Sequence, residues 1–262
     1  MAPVMDGTYY PTRLSEELLV LHKDIDKLED HLSAMEILNL YGTQMIIVYG
    51  ILSLNDSPAE AKQLMVRLTR GASRQPSSGS QETFWRNLLQ HLLTLRGRVF
   101  TCVEPSTCYQ VFTESLLCSG QEANIQLASQ LLTSSLQTPS RSEPQISKTT
   151  PPSGFSYQLP YDKSVELVVY AAREYFNSAA NYRDRDMSLA KSCLALIKDC
   201  PAAIQSELNL FSSLEIVEGF GLGLLPLQVR LCENKLDIIK RVLEECPDAY
   251  KQSEKFTLME LK

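Results

Sequence analysis

The side chains best suited to proton transfer near neutral pH, or to holding zinc, are three histidines, His22, His31 and His91. They are scattered over separate stretches with no ligand spacing between them, and Cys102 and Cys108 lack the two-residue gap of a zinc knuckle. Gly219-Phe220-Gly221-Leu222-Gly223 has the composition of a loop that cradles phosphate. It follows a helical pattern rather than a strand, has no third glycine at the required offset, and precedes no lysine-serine or lysine-threonine pair. It reads as a helix stop followed by a turn. Arg183-Asp184-Arg185-Asp186 is the densest charged cluster. In a polar turn open to water its carboxylates serve as caps and its ion pairs contribute little. Glu166, Arg173 and Glu174 fall on the polar face of a helix. No glycine-flanked serine, cysteine–histidine pair or pair of buried carboxylates stands out. The sequence thus assigns no catalytic, cofactor-binding or metal-ligating residue, implies that the chain is not an enzyme, and leaves partner-binding residues unassigned.

The elements that position these residues are organised around Tyr161 to Cys200. Val165, Val168, Val169, Ala172, Tyr175 and Phe176 recur at helical spacing and line one face. Asn177, Ser178 and Asn181 interrupt the pattern with turn formers. Asp184 or Asp186 caps a second helix, in which Met187, Ala190, Cys193, Leu194 and Ile197 resume the stripe. Two helices joined by so short a turn pack antiparallel, and neither stripe is covered without further neighbours.

A chain of 262 residues with 44% apolar and 21% charged side chains has the composition of a folded protein. The net charge of -6 opposes broad nucleic-acid binding, which draws on clustered lysine and arginine. Arg67, Arg70 and Arg74 come closest to such a cluster and read as a solvated helix end. No apolar run approaches the roughly 18–20 residues that cross a bilayer, and the first residues do not form a signal peptide. The seven cysteines show no framework spacing and mostly occupy apolar helical positions, which points to a reducing compartment.

In chain order, residues up to Pro11 are expected to fray. A long helix over about Thr12 to Tyr41 carries Leu14, Leu18, Leu21, Ile25, Leu28, Leu32 and Met35 at alternating steps of four and three, the coiled-coil period. Leu19 and Val20 widen that face and favour burial in a helical array over a two-stranded zipper. Gly42 ends it, and Met45 to Leu52 is read as a further helix. Ser57-Pro58-Ala59-Glu60 is a helix start, with a capping serine, a proline at the first helical position and a glutamate able to reach back. Ala61, Leu64, Met65 and Leu68 form the buried face, and Gly71 to Ser80 reads as a linker. Helices are expected over about Gln81 to Phe100, Pro105 to Cys118 and Gln121 to Ser135. Gln137 to Pro160, rich in Pro, Ser, Thr and Gln, is expected to be disordered. Beyond the central pair, a helix opened by Pro201 carries Ile204, Leu208, Phe211, Leu214 and Val217. Leu224 to Leu227 is an apolar connector. A helix over about Asn234 to Cys246 buries Leu236, Ile239, Val242 and Leu243. A last helix begins near Ser253 and is still apolar at Leu261, so the sequence looks cut from a longer protein with an apolar patch at Phe256, Leu258 and Leu261.

Certain strings are more specific than these patterns. REYFNSAAN (Arg173 to Asn181), MSLAKSCLALI (Met187 to Ile197), PAAIQSELNL (Pro201 to Leu210) and LLPLQVRLC (Leu224 to Cys232) resemble the neuroblastoma-amplified sequence family of animals, in the same order. KQLMVRLTR (Lys62 to Arg70), FTESLLCS (Phe112 to Ser119) and YKQS (Tyr250 to Ser253) extend the resemblance over nearly the whole chain. That family carries a secretory-pathway domain shared with a subunit of the yeast Dsl tethering complex. Helix follows helix with no convincing strand, which gives an all-α chain of packed antiparallel helices, either a bundle or an α-solenoid; the resemblance implies the second, an irregular α-solenoid of antiparallel helix pairs, in one segment of a much longer protein that also bears a β-propeller. The two expected helical blocks are residues 1–136 and 161–262, with 137–160 as a disordered linker.

The resemblance implies a non-catalytic scaffold in a tethering complex on the endoplasmic reticulum, acting in retrograde transport from the Golgi. Its partners would be the other tether subunits and SNARE proteins of the endoplasmic reticulum. No cofactor, direct nucleic-acid contact or membrane insertion is expected; the protein would be cytoplasmic and peripheral on that membrane. The alternative is a coiled-coil oligomerisation or adaptor module built on Leu14 to Met35, including a role in nonsense-mediated messenger RNA decay without direct RNA binding.

Overall fold

The computed structural model describes residues 12–42, 57–74, 82–136, 155, 157–252 and 254. Among them every regular element is helical. They are α1 (Thr12–Leu40), α2 (Pro58–Ser73), α3 (Glu82–Arg98), α4 (Pro105–Leu117), α5 (Glu122–Ala128), α6 (Tyr161–Ser178), α7 (Arg185–Leu194), α8 (Ala202–Gly219), α9 (Pro226–Leu231) and α10 (Lys235–Glu245), followed by a 3₁₀ turn over Pro247–Gln252. The expected frayed terminus, the helix at Met45 to Leu52, residues 75–80 of the first linker, residues 137–154 of the second and the apolar patch at Phe256 to Leu261 lie outside the described residues. The chain divides into two compact units, residues 1–74 with 87–108, and residues 75–86 with 109–262.

In the first unit, α2 starts as its sequence requires. Ser57 accepts a hydrogen bond from the Glu60 amide at 3.4 Å, and Pro58 takes the first helical position. Ala61, Leu64, Met65 and Leu68 are buried. The helix does not stop at Gly71, where the linker was expected, but continues to Ser73. A methyl group on Gly71 would sit 2.8 Å from the Tyr41 carbonyl oxygen, so this glycine lets the end of α1 lie directly against α2. Gly42 ends α1 in the left-handed conformation, φ 73°. The expectation for the rest of α1 fails. Ala34, Ile37, Leu38 and Tyr41 are buried, but Leu18, Leu21, Ile25, Leu28 and Leu32 are exposed, because no described helix runs alongside that part of the stripe.

In the second unit, α6 and α7 form the expected pair. Leu167, Val168, Ala171, Ala172, Tyr175 and Phe176 of α6, with Met187, Leu189, Ala190 and Cys193 of α7, are buried. The expected buried face named Val165, which is half-buried, and left out Leu167. Asp184, rather than Asp186, caps α7 by accepting from the Asp186 amide at 3.1 Å. Helix α7 ends at Leu194, and Ile197 is buried beyond it.

Hydrogen bonds fix the direction of each helix. Ser164, near the start of α6, accepts from the Thr133 amide, while Tyr175, near its end, bonds Leu117 and Gly120. Arg185, at the start of α7, reaches the Gly120 carbonyl, and Lys198, just past its end, donates its amide to Ser134. The two helices therefore run antiparallel along the segment 117–134. Helix α8 runs with α6, since Arg173, Phe176 and Arg183 meet Glu207, Phe211 and Glu218 in turn.

Three expectations change here. Helix α5 stops at Ala128 rather than Ser135, because backbone groups that would continue it bond elsewhere: the Leu131 carbonyl accepts from Leu159 at 2.8 Å and that of Ser134 from Lys198 at 2.8 Å. The connector at Leu224 to Leu227 is the start of a short helix, since Pro226 takes a first-turn position and Gln228 accepts from the Leu225 amide at 3.1 Å. In α10 the buried face is Ile238, Ile239 and Val242, and Leu236 and Leu243 lie outside it, exposed. Trp85, Phe112 and Phe176 anchor this unit, each fully buried and in edge-to-face contact with another aromatic ring. Burial of each such ring contributes roughly 1.5–3 kcal/mol.

Candidate functional site

The residues with chemical potential are used structurally. Gly219 is the last residue of α8, and Gly221 turns through φ 79°. The amides of Phe220, Gly221 and Leu222 donate back to carbonyls of Val217 and Glu218. This is the carbonyl end of a helix with its loop amides already engaged, the opposite of what a phosphate requires. His22 is exposed and His31 half-buried. His91 Nδ1 lies 2.8 Å from the Tyr41 hydroxyl, and burial lowers its pKa, so it is neutral at pH 7. The Cys108 thiol is buried against the Leu92 carbonyl; burial pushes it up to about 11, despite the opposing charge of Arg96. Among the described residues no group of three or more His, Cys, Asp or Glu side chains is arranged to hold a metal ion. Arg67, Arg70 and Arg74 are exposed on and just after α2.

Arg183 to Asp186 is more than a solvated turn. Asp184 accepts from the amides of Ala180 and Asp186, and these bonds hold its carboxyl below the usual range. Arg183 pairs with Glu218 of α8 at 3.2 Å, and Arg185 donates to the Gly120 carbonyl at 2.7 Å. The cluster ties α7 to α8 on one side and to the α4–α5 turn on the other. Glu166 pairs with Lys163 one turn away, and Glu174 is exposed.

The constellation that the sequence concealed centres on Glu207, whose side chain is 2% exposed. It accepts from Arg230 Nη2 and from Arg173 Nε, each at 2.6 Å. Arg173 was placed on a polar face, yet its guanidinium reaches inward to this carboxylate. The Arg230 guanidinium also lies 4.8 Å from the centre of the Phe176 ring. Burial alone would raise the Glu207 pKa, but hydrogen bonds and charge from Arg230 and Arg173 outweigh it and leave it lowered. A carboxylate so held is ionised at neutral pH and occupied by two cations, so it locks α6, α8 and α9 together and is not poised to move protons. A signal was present: Ile204, Glu207, Phe211 and Leu214 keep the three-four spacing of a buried face, and Leu208, assigned to it, is only half-buried.

Tyr175 is the second such lock. Its hydroxyl donates to the Leu117 carbonyl and accepts from the Gly120 amide, both at 2.8 Å. Burial raises its pKa, so the hydroxyl stays protonated and keeps its donor role.

The described residues also expose apolar surface. One face lies along α1, where Leu18, Leu21, Ile25, Leu28 and Leu32 are 45–59% exposed. Leu225, Leu227 and Leu231 on and before α9, and Leu236 on α10, are exposed as well. Surfaces of this kind suit protein partners rather than small substrates. No described helix is long and apolar enough to cross a membrane.

Residues 16–261 match the family described as secretory pathway protein Sec39. The chain is 42% identical over 247 residues to the NBAS subunit of NRZ tethering complex of Homo sapiens, an alignment covering 92% of this chain and 10% of that protein. It is 24% identical over 235 residues to MAG2-interacting protein 2 of Arabidopsis thaliana, covering 89% of this chain and 9% of that protein. The chain thus spans about a tenth of the length of the curated relatives it matches. No solved structure matches.

Proposed function

Because the chain belongs to the Sec39 family of secretory-pathway proteins, we propose that it is a non-catalytic scaffold segment of a vesicle-tethering complex. The match over residues 16–261 carries this reading, together with a human relative whose name places it in such a complex. The physical pattern supports it. The buried charged groups tie helices to one another, and the apolar faces left open suit partner proteins. The proposed site of action is the cytoplasmic face of the endoplasmic reticulum, where the complex would act with SNAREs in retrograde transport from the Golgi. Attachment there would be peripheral, through the other tether subunits. The helices are proposed to stack as an irregular solenoid, whose successive layers share one core and present a long flank to partners. Its blocks would be residues 1–136 and 161–262, with 137–160 between them.

The test is calorimetric titration of the folded chain, and of a longer protein containing it, against each tether subunit and each endoplasmic-reticulum SNARE separately. Saturable binding to at least one is expected. A folded chain that binds none of them, in either length, overturns the reading.

A further inference from the structure

We propose that the exposed face of α1 is a docking surface for an amphipathic helix of a partner protein whose apolar seam is flanked by lysine or arginine. Every residue from Glu16 to Glu29 is exposed, so several turns of α1 project with no described neighbour. The helix is rooted at its far end by Ala34, Ile37, Leu38 and Tyr41, and by a 3.4 Å ion pair between Asp30 and Arg98. An isolated helix of this length is marginal in water. Its leucines sit in register for a partner helix: Leu18, Ile25 and Leu32 alternate with Leu21 and Leu28 in the two core positions of a heptad.

Charge selects the occupant. The residues flanking this seam are Glu17, Asp24 and His31 on one edge and His22, Glu29 and Glu36 on the other. A second copy of the chain would be a poor fit. In a parallel pair Asp24 of one copy faces Glu29 of the other, and Glu17 and Glu36 face only His22 and His31, so no edge pair joins a carboxylate to lysine or arginine. In an antiparallel pair each acidic edge meets itself, relieved only by the histidines. Like charges at these positions disfavour pairing, whereas lysine or arginine on a partner satisfies both edges. The same acidic edges repel an anionic membrane surface.

The inference deepens the scaffold reading by giving the chemistry of one partner, and rests on that reading for its setting. Its test is separate, so failure here and failure of the subunit titrations are distinguishable. The probes are two labelled four-heptad peptides with isoleucine and leucine in the seam, one with lysine at every flanking position and one with glutamate. Fluorescence anisotropy with the full chain should show the lysine peptide binding at least about tenfold more tightly than its twin, with an advantage that shrinks as salt rises. The double variant Leu21→Glu/Leu28→Glu should abolish that binding without changing the circular dichroism, since both residues are exposed. Asp24→Lys/Glu29→Lys leaves two acidic and two basic residues on the edges and should abolish the preference. Equal binding of both peptides by the unaltered chain, binding of neither, or a lysine preference that survives Asp24→Lys/Glu29→Lys overturns the proposal. So does a concentration-dependent dimer in sedimentation that Leu21→Glu/Leu28→Glu dissolves, or binding of α1 to phosphatidylcholine vesicles in place of the peptides.

Discussion

The carboxylate of Glu207 and the guanidinium of Arg230 form a buried ion pair 2.6 Å apart, with side chains 2% and 17% exposed. Removing Arg230 leaves the buried Glu207 carboxylate with only the half-exposed Arg173 to meet it. Arg230→Met should cost about 3–5 kcal/mol of folding free energy. Arg173→Ala should cost under about 1 kcal/mol, because that arginine is half exposed and can be replaced by water. Urea unfolding checks this through the midpoint, with an unchanged slope showing that the transition remains two-state. Equal losses for the two arginines would show that the pair is not the central lock.

Acid should weaken the fold in two stages. Burial depresses His91, so its neutral form is favoured in the folded state. That contribution is complete above the unfolded value near ~6.5 and is lost as pH falls from there through the folded value. The Glu207 carboxyl is also depressed, by Arg230 and Arg173 acting against burial. Its contribution is complete above the unfolded value near ~4.3 and is lost as pH falls through the lower folded value. Melting temperature measured against pH should therefore decline first below neutrality and again in the carboxylate range. His91→Gln should remove the first decline and Glu207→Gln the second.

At Gly71 the sign of a single substitution is decisive. If this residue began a linker or lay on an open helix surface, alanine would be neutral or would stabilise by up to about 1 kcal/mol. Because the added methyl would meet the Tyr41 carbonyl oxygen at 2.8 Å, Gly71→Ala should instead destabilise by about 1–3 kcal/mol. Thermal or urea unfolding gives the answer directly.

The cysteines should differ sharply in reactivity. Cys118 and Cys200 are exposed, whereas Cys108 and Cys193 are buried. Burial pushes the buried thiols up to about 11 and about 12, which removes the reactive thiolate at neutral pH. Brief treatment of the native protein with N-ethylmaleimide, followed by peptide mass mapping, should label Cys118 and Cys200 first and leave Cys108 and Cys193 unmodified until denaturant is added.

Much of the fold was legible in the sequence because local rules and burial agreed. The Ser57-Pro58 start, the left-handed turn at Gly42, the Asp184 cap and the stripes of α6 and α7 each depend on neighbours within a turn or two. What stayed hidden depends on distant partners. Glu207 was passed over because a carboxylate is counted as polar until the guanidinium that meets it is known. Helix α5 ends early because Leu131 and Ser134 bond residues far along the chain. Gly71 was read as flexible because the carbonyl lying against it comes from another helix. On α1 the spacing of the leucines was legible, but periodicity cannot say whether a stripe is covered within its own chain.

The hydrogen bonds between Leu131 and Leu159 and between Thr133 and Ser164 have a practical consequence for the intervening sequence. They close the backbone at 131–133 onto that at 159–164 like the two sides of a zip, and Phe155 and Tyr157 pack against Phe112 and Tyr109 beside it. The spacing of α5 and α6 is therefore fixed without the residues between 137 and 154. Extra residues, an epitope or a fluorescent domain inserted between 137 and 154 should add only a slowly growing closure entropy. An inserted label would thus report the whereabouts of this chain without prying its helices apart.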